Sequence, residues 1–124
     1  MQNSEWRKSM SDNVVENKSF DFAVRIVNLH KHLSAEKKEF VLSKQLLRSG
    51  TSIGANVSEA LRGQSKADFS AKMCIALKEA NESHYWIRLL YKTDFLTEQE
   101  FNSIENDIVE LIKILSSICK ASNK

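Results

Sequence analysis

The chain has 124 residues, enough for one domain with a modest core, and a formal net charge of +2. It holds no proline and only three glycines, too few breakers for the turns of a β protein, so the composition points to an all-helical fold. So small a charge excess makes no strong case for nucleic acid, and no apolar run approaches the roughly 18 residues of a membrane span.

Residues 1–18 form a polar lead-in without the apolar centre of a signal peptide. The first helical segment covers about residues 19–33. Phe22, Ile26, Leu29 and Leu33 recur at spacings of three and four and share one face, which Phe20, Ala23, Val24 and Val27 broaden. The second segment starts near Ser34, a suitable N-cap, and covers about 35–61, some 40 Å at 1.5 Å per residue. Arg62 and Gly63 end it, with Gly63 expected as a left-handed C′ residue. The third, about 66–92, opens with Ser65 and Asp68 in a capping-box pattern. The fourth, about 98–120, opens with a full box, Thr97 and Glu100, and carries the cleanest amphipathic stripe. Short connections make sequential helices antiparallel neighbours. The expected fold is an antiparallel up-down-up-down four-helix bundle over residues 19–120, with a tail at 121–124.

All three glycines lie between Leu46 and Phe69. The stretch lacks the lysine of a Walker loop and the G-x-G of a dinucleotide site, and no strand precedes it. Gly50 and Gly54 instead sit on one helical ridge, where small side chains let another backbone come close. That offsets the roughly 1 kcal/mol each glycine costs a helix. The contact lies either inside the bundle or between subunits. Arg48, Asn56 and Glu59, polar residues of the same helix, are expected to be structural, an Arg–Glu pair or a satisfied Asn amide bracing neighbouring helices or subunits, with a ligand or RNA site as the alternative.

No catalytic, cofactor or metal site emerges. His30 and His32 point about 200° apart on a helix and cannot share a metal, and no Ser, His and acid grouping has motif support. Cys74 and Cys119 sit in apolar helical contexts and are expected as free buried thiols of a reducing cytoplasm. "HYWIRLLYK", His84 to Lys92, mixes aromatics with bases as single-strand platforms do. Its spacing turns Ile87 and Leu90 to the core and Tyr85, Arg88 and Lys92 outward. Trp86, Leu89, Val109 and Ile114 flank the main stripes and are expected to form an exposed apolar patch.

The run from Lys44 to Leu90, "KQLLRSGTSIGANVSEALRGQSKADFSAKMCIALKEANESHYWIRLL", resembles the bacterial four-helix-bundle proteins encoded in 23S rRNA intervening sequences. Gln45, Leu46, Leu47 and Arg48 match the opening of that family's motif. Ser52, Ile53, Ala55, Asn56 and Glu59 match its centre, and Ser65, Asp68, Phe69, Ile75, Ala76 and Leu77 its end. The family's first-helix phenylalanine corresponds to Phe20. Val57, Ser58 and Ala60 depart from the usual Ile, Ala and Gly. The resemblance implies a bundle that assembles as a cyclic homopentamer and has no established enzymatic activity. The accessory variability proteins of diversity-generating retroelements are similar in fold, and they bind nucleic acid and a reverse transcriptase. On that basis Lys44, Arg48, Arg62, Lys66 and Lys72 are candidate RNA or DNA contacts, repeated around a ring axis. The expected function is a non-enzymatic oligomeric adaptor binding nucleic acid or a nucleic-acid enzyme. The alternative is a structural or protein-interaction module without a nucleic-acid partner.

Overall fold

The computed structural model describes residues 10–123, with side chains from Val14. Four helices follow one another: α1 Met10–Glu36, α2 Val41–Leu61, α3 Lys66–Lys92 and α4 Glu98–Ser122. There is no strand among the described residues. Each helix packs mainly on its neighbours in sequence, most tightly α2 on α3, and α1 meets α4 least. The result is an all-α four-helix bundle. No helix among the described residues is long and apolar enough to cross a membrane.

The core is the inward stripe of every helix: Phe22, Ile26 and Leu33 of α1, Ile53 and Val57 of α2, Met73 and Ile87 of α3, Ile108 and Leu115 of α4, all nearly inaccessible. Burying each large side chain contributes about 1.5–3 kcal/mol. The stripe of α1 extends back through Ser19 to Val15, so the helix begins well before residue 19 and takes in half of the expected lead-in. Residues 1–9 and Lys124 lie outside the described residues. Phe20 and Val24 do not broaden the buried face. They are 67% and 47% exposed, because a step of two residues turns a side chain about 200° around the helix axis.

The second helix starts later than its sequence suggests. Ser34 belongs to the last turns of α1, where its buried Oγ has no hydrogen-bond partner. Lys38 turns the chain through a left-handed φ of 57°. The carboxylate of Glu39 then caps α2, accepting the N–H groups of Val41 (3.1 Å), Leu42 (3.0 Å) and Ser43 (2.7 Å). A buried acid at this end also meets the positive end of the helix dipole. With 21 residues, α2 is about 32 Å long rather than 40 Å. The other caps form locally. Ser65 Oγ accepts from the Asp68 N–H at 3.0 Å. Thr97 and Glu100 bond reciprocally at 3.1 and 2.8 Å. α3 ends in a Schellman motif: Asp94 takes φ 71°, Phe95 N–H donates to Leu90 O at 2.9 Å, and Asp94 N–H to Tyr91 O at 3.1 Å.

The glycines divide by environment. A Cβ on Gly54 would lie 3.2 Å from the Ser19 carbonyl oxygen, and one on Gly50 3.0 Å from Ile26 Cγ1. The close approach is therefore between α1 and α2, within the bundle. Gly63 does not adopt the left-handed conformation; Arg62 N–H and Gly63 N–H reach back to Glu59 O and Ala60 O with ordinary φ. Cys74 and Cys119 are not free thiols. They are joined as a disulfide that ties α3 to α4, with Cα atoms 5.0 Å apart, because the antiparallel register sets the two positions face to face.

Gly54→Leu is expected to lower stability by about 1–3 kcal/mol through overpacking, outweighing less than about 1 kcal/mol of gained propensity. Gly63→Ala is expected to be neutral or to stabilise by up to about 1 kcal/mol. Urea unfolding of both variants checks the contrast, and equal shifts would count against the close approach. Protein purified without reductant should show no reactive thiol. Cys119→Ser, which opens a loop of sequence separation 45, should cost about 4 kcal/mol by the chain-entropy estimate.

Candidate functional site

The five candidate cations lie along α2 and the start of α3, but three of them are already matched by acids. The Arg48 guanidinium bonds the Glu82 carboxylate directly and Glu79 at 3.4 Å, both across on α3. Arg62 reaches Glu16 of α1 at 3.2 Å and the Ser58 carbonyl of its own helix at 3.2 Å. Lys72 of α3 holds Glu59 of α2 at 2.9 Å. Lys44 and Lys66 are exposed and make no ion pair among the described residues. The face is thus crossed by interhelical charge pairs rather than lined by free cations.

Arg48 and Glu59 each brace α2 to α3, Arg48 in an Arg–Glu pair with Glu82 and Glu59 with Lys72, whereas Asn56 does not. The Asn56 amide donates to the Ser52 carbonyl one turn back in α2, at 2.8 Å, and leaves the other helices alone. Glu59 belongs to Lys72. The centre of polar organisation is Glu82, which the sequence did not single out. Its carboxylate accepts the Trp86 indole N–H at 3.0 Å as well as Arg48. The indole bond first, and the arginine second, hold the Glu82 carboxyl below the ordinary carboxylate range; the same pairing raises Arg48. Beneath this surface cluster the buried hydroxyls of Ser49 and Ser83 meet at 2.8 Å, so polar contacts run from surface to core between α2 and α3. An acid at i and an indole at i+4 was the one available signal, since such pairs face each other on a helix.

Two of the three histidines also have partners. His30 Nδ1 lies 3.0 Å from Ser43 Oγ. That hydroxyl also donates to the Glu39 carbonyl at 2.9 Å. His84 Nε2 pairs with Glu105 of α4 at 2.9 Å. No group of three or more metal-ligating side chains occurs among the described residues. Two further acid–base pairs, Lys18–Glu110 at 3.2 Å and Arg25–Asp107 at 2.7 Å, bridge α1 and α4. They stand beside two clefts along that seam, a polar one of about 310 Å³ and a largely apolar one of about 290 Å³.

The expected apolar patch is placed elsewhere. Trp86, Val109 and Ile114 are half-buried against the core. Among the described residues the uncovered large apolar side chains are Val14, Phe20 and Val24 of α1, Phe40 and Val41 at the α1–α2 corner, and Ile75 and Tyr85 on α3. Tyr85, Arg88 and Lys92 share the outer side of α3, as their spacing requires.

Compared with known proteins, residues 11–117 match the family model described as 23S rRNA-intervening sequence protein. A solved structure from Bacteroides thetaiotaomicron, described as a protein with unknown function from the S23 ribosomal protein family, is 60% identical. The match covers 90% of this chain and 99% of that one, with a TM-score of 0.87. No curated protein matches the chain. Neither description names an enzymatic activity.

The Glu82 pairing carries a pH signature. A carboxyl depressed in the folded state contributes stability that is present above its unfolded pKa and is lost as pH falls through the folded one. Glu82→Gln should therefore be less stable than the parent near neutral pH, and the gap should close on acidification from about pH 5 to pH 3. Thermal midpoints measured across that range test it; a gap independent of pH would mean that Glu82 contributes through shape and not charge.

Proposed function

The chain belongs to the 23S rRNA-intervening sequence protein family, and from that premise we propose that it is a non-enzymatic, homo-oligomeric adaptor of the cytoplasm, five subunits to a ring. The observation that carries the proposal is the uncovered apolar strip on α1. Phe20 is two-thirds exposed and Val24 nearly half, one turn apart and directed away from the core. Large apolar side chains in contiguous exposure mark an interface, and a closed ring covers such strips without leaving ends. The family resemblance supplies the number five. The Cys74–Cys119 bond pulls against the cytoplasmic setting, where thiols are ordinarily kept reduced.

Binding of RNA, DNA or a nucleic-acid enzyme is the partner side of the proposal. It rests on Lys44 and Lys66, the unpaired members of the candidate set, multiplied by the ring. A second reading, a protein-interaction module with no nucleic-acid partner, is favoured by the charge pairs that occupy Arg48, Arg62 and Lys72. Free cations, not paired ones, displace counterions from phosphates.

Light scattering should give a mass several times 14.2 kDa, and Phe20→Lys should reduce it to the monomer while far-UV circular dichroism stays helical. A parent protein that is monomeric at micromolar concentration sinks the assembly. Fluorescence anisotropy with a labelled single-stranded RNA at low salt separates the two partner readings. Binding that fades with salt and with Lys44→Glu/Lys66→Glu supports the first, and no binding by an intact oligomer supports the second.

A further inference from the structure

Between the second half of α3 and the first turn of α4 lies a cleft of about 280 Å³, lined by Tyr85, Arg88, Leu89, Tyr91, Lys92 and Phe101. It is separate from the α2 face that carries the candidate cations. Three of the six lining side chains are aromatic. The Tyr91 ring lies flat on Phe101, with centroids 4.2 Å apart and planes 10° from parallel. Tyr85 is 54% exposed and stands edge-on to Trp86 at 5.0 Å. Tyr85 is therefore largely open at the mouth, with the Trp86 ring beside it.

The charges at the mouth are unbalanced. Arg25, Arg48 and Arg62 each hold a carboxylate. Arg88 is the one arginine among the described residues that holds none, and Lys92, one turn on, holds none either. No carboxylate lines the cleft. The acids nearest in sequence, Asp94, Glu98 and Glu100, do not line it, and Glu100 accepts the Thr97 N–H; Glu82 is held by Arg48 and Trp86, and Glu105 by His84. Two unpaired cations beside stacking surfaces call for a ligand with both a flat ring and an anion.

We propose that this cleft binds a mononucleotide, with its base stacked on Tyr85 and the Tyr91–Phe101 pair and its phosphate held by Arg88 and Lys92. A phosphate monoester carries close to two negative charges at neutral pH, which matches two cations better than a single carboxylate does. The planar guanidinium fork suits phosphate oxygens, and the lysine adds a point charge. Size favours one free nucleotide over a strand. The volume lies at the low end for small-molecule sites, and only two cations line the cleft, where strand-binding grooves follow the backbone with a longer charged track. The tyrosine hydroxyls are the only uncharged polar groups lining the cleft, so the site selects ring and phosphate together and distinguishes bases weakly.

Isothermal titration of the full chain with 5′-AMP tests this. Saturable binding is expected, with adenosine and inorganic phosphate each about tenfold weaker or worse, since each lacks one half of the recognition. Arg88→Glu should abolish binding, and Tyr85→Ala should weaken it by about 5- to 100-fold, the range for loss of one stacked base. Both residues are solvent-exposed, so circular dichroism and the unfolding midpoint should match the parent. Lys44→Glu, on the other face, should leave AMP binding unchanged, which keeps this site distinct from the RNA reading above. Absence of saturable AMP binding, or equal binding by Arg88→Glu, overturns the proposal. Affinity for a short oligonucleotide that rises with its length and exceeds that for AMP also overturns it, in favour of a strand.

Discussion

The contact on which the rest of the architecture depends is the approach of the α1 backbone to α2 at Gly54 and Gly50. With no side chain at residue 54, the Ser19 carbonyl comes within van der Waals reach of that position. This fixes the rotation of α1. Ser19 must face α2, so Val15, Phe22 and Ile26 turn to the core on the same stripe. Phe20 and Val24 must then turn outward, since a helix cannot hide residues on opposite sides of its axis at once. One pair of glycines thus decides both which residues build the core of α1 and which apolar ones are left for a partner.

Between α2 and α3 the same economy appears in charge. Lys72–Glu59 and Arg48–Glu82 join the two helices at separate levels, with Ser49 and Ser83 meeting in the interior. Exposed ion pairs contribute little stability each, commonly under about 1 kcal/mol. Their larger effect is on register, because a one-turn slip would set like charges against each other. They also lower the net field of a face whose cations, counted along the chain, look available for phosphates.

What was legible in the sequence followed from how local each feature is. The starts of α3 and α4 are written in residues three apart, Ser65 with Asp68 and Thr97 with Glu100, so both were readable. The start of α2 was not, because a serine that looks like a cap, Ser34, is swallowed by α1, while the working cap is the long side chain of Glu39 folding onto its own following turn. Gly63 shows the same limit in reverse, since its residue type permits a left-handed turn that the chain does not use. Contacts across helices depend on register, which residue spacing does not specify. Hence Cys74 and Cys119 looked like separate thiols, and the cations of the candidate face looked free. The outer side of α3 could be seen as Tyr85, Arg88 and Lys92; Phe101, from another helix, could not be added to it.

The thinly packed seam between α1 and α4 has a thermodynamic consequence. α4 is covalently tied to α3, and α3 is the helix most closely packed on α2. α1 meets α4 least, with partly exposed charge pairs across the seam, and keeps its close packing on α2. Native-state opening should therefore begin at the α1–α4 seam, at lower free energy than separation of the other helix pairs. α1 also carries Phe20 and Val24. Any molecule that covers them binds only while α1 is docked, so mass action couples its concentration to closure of the bundle. Protection of α1 amides from exchange then becomes a direct report of how fully the outer face is occupied.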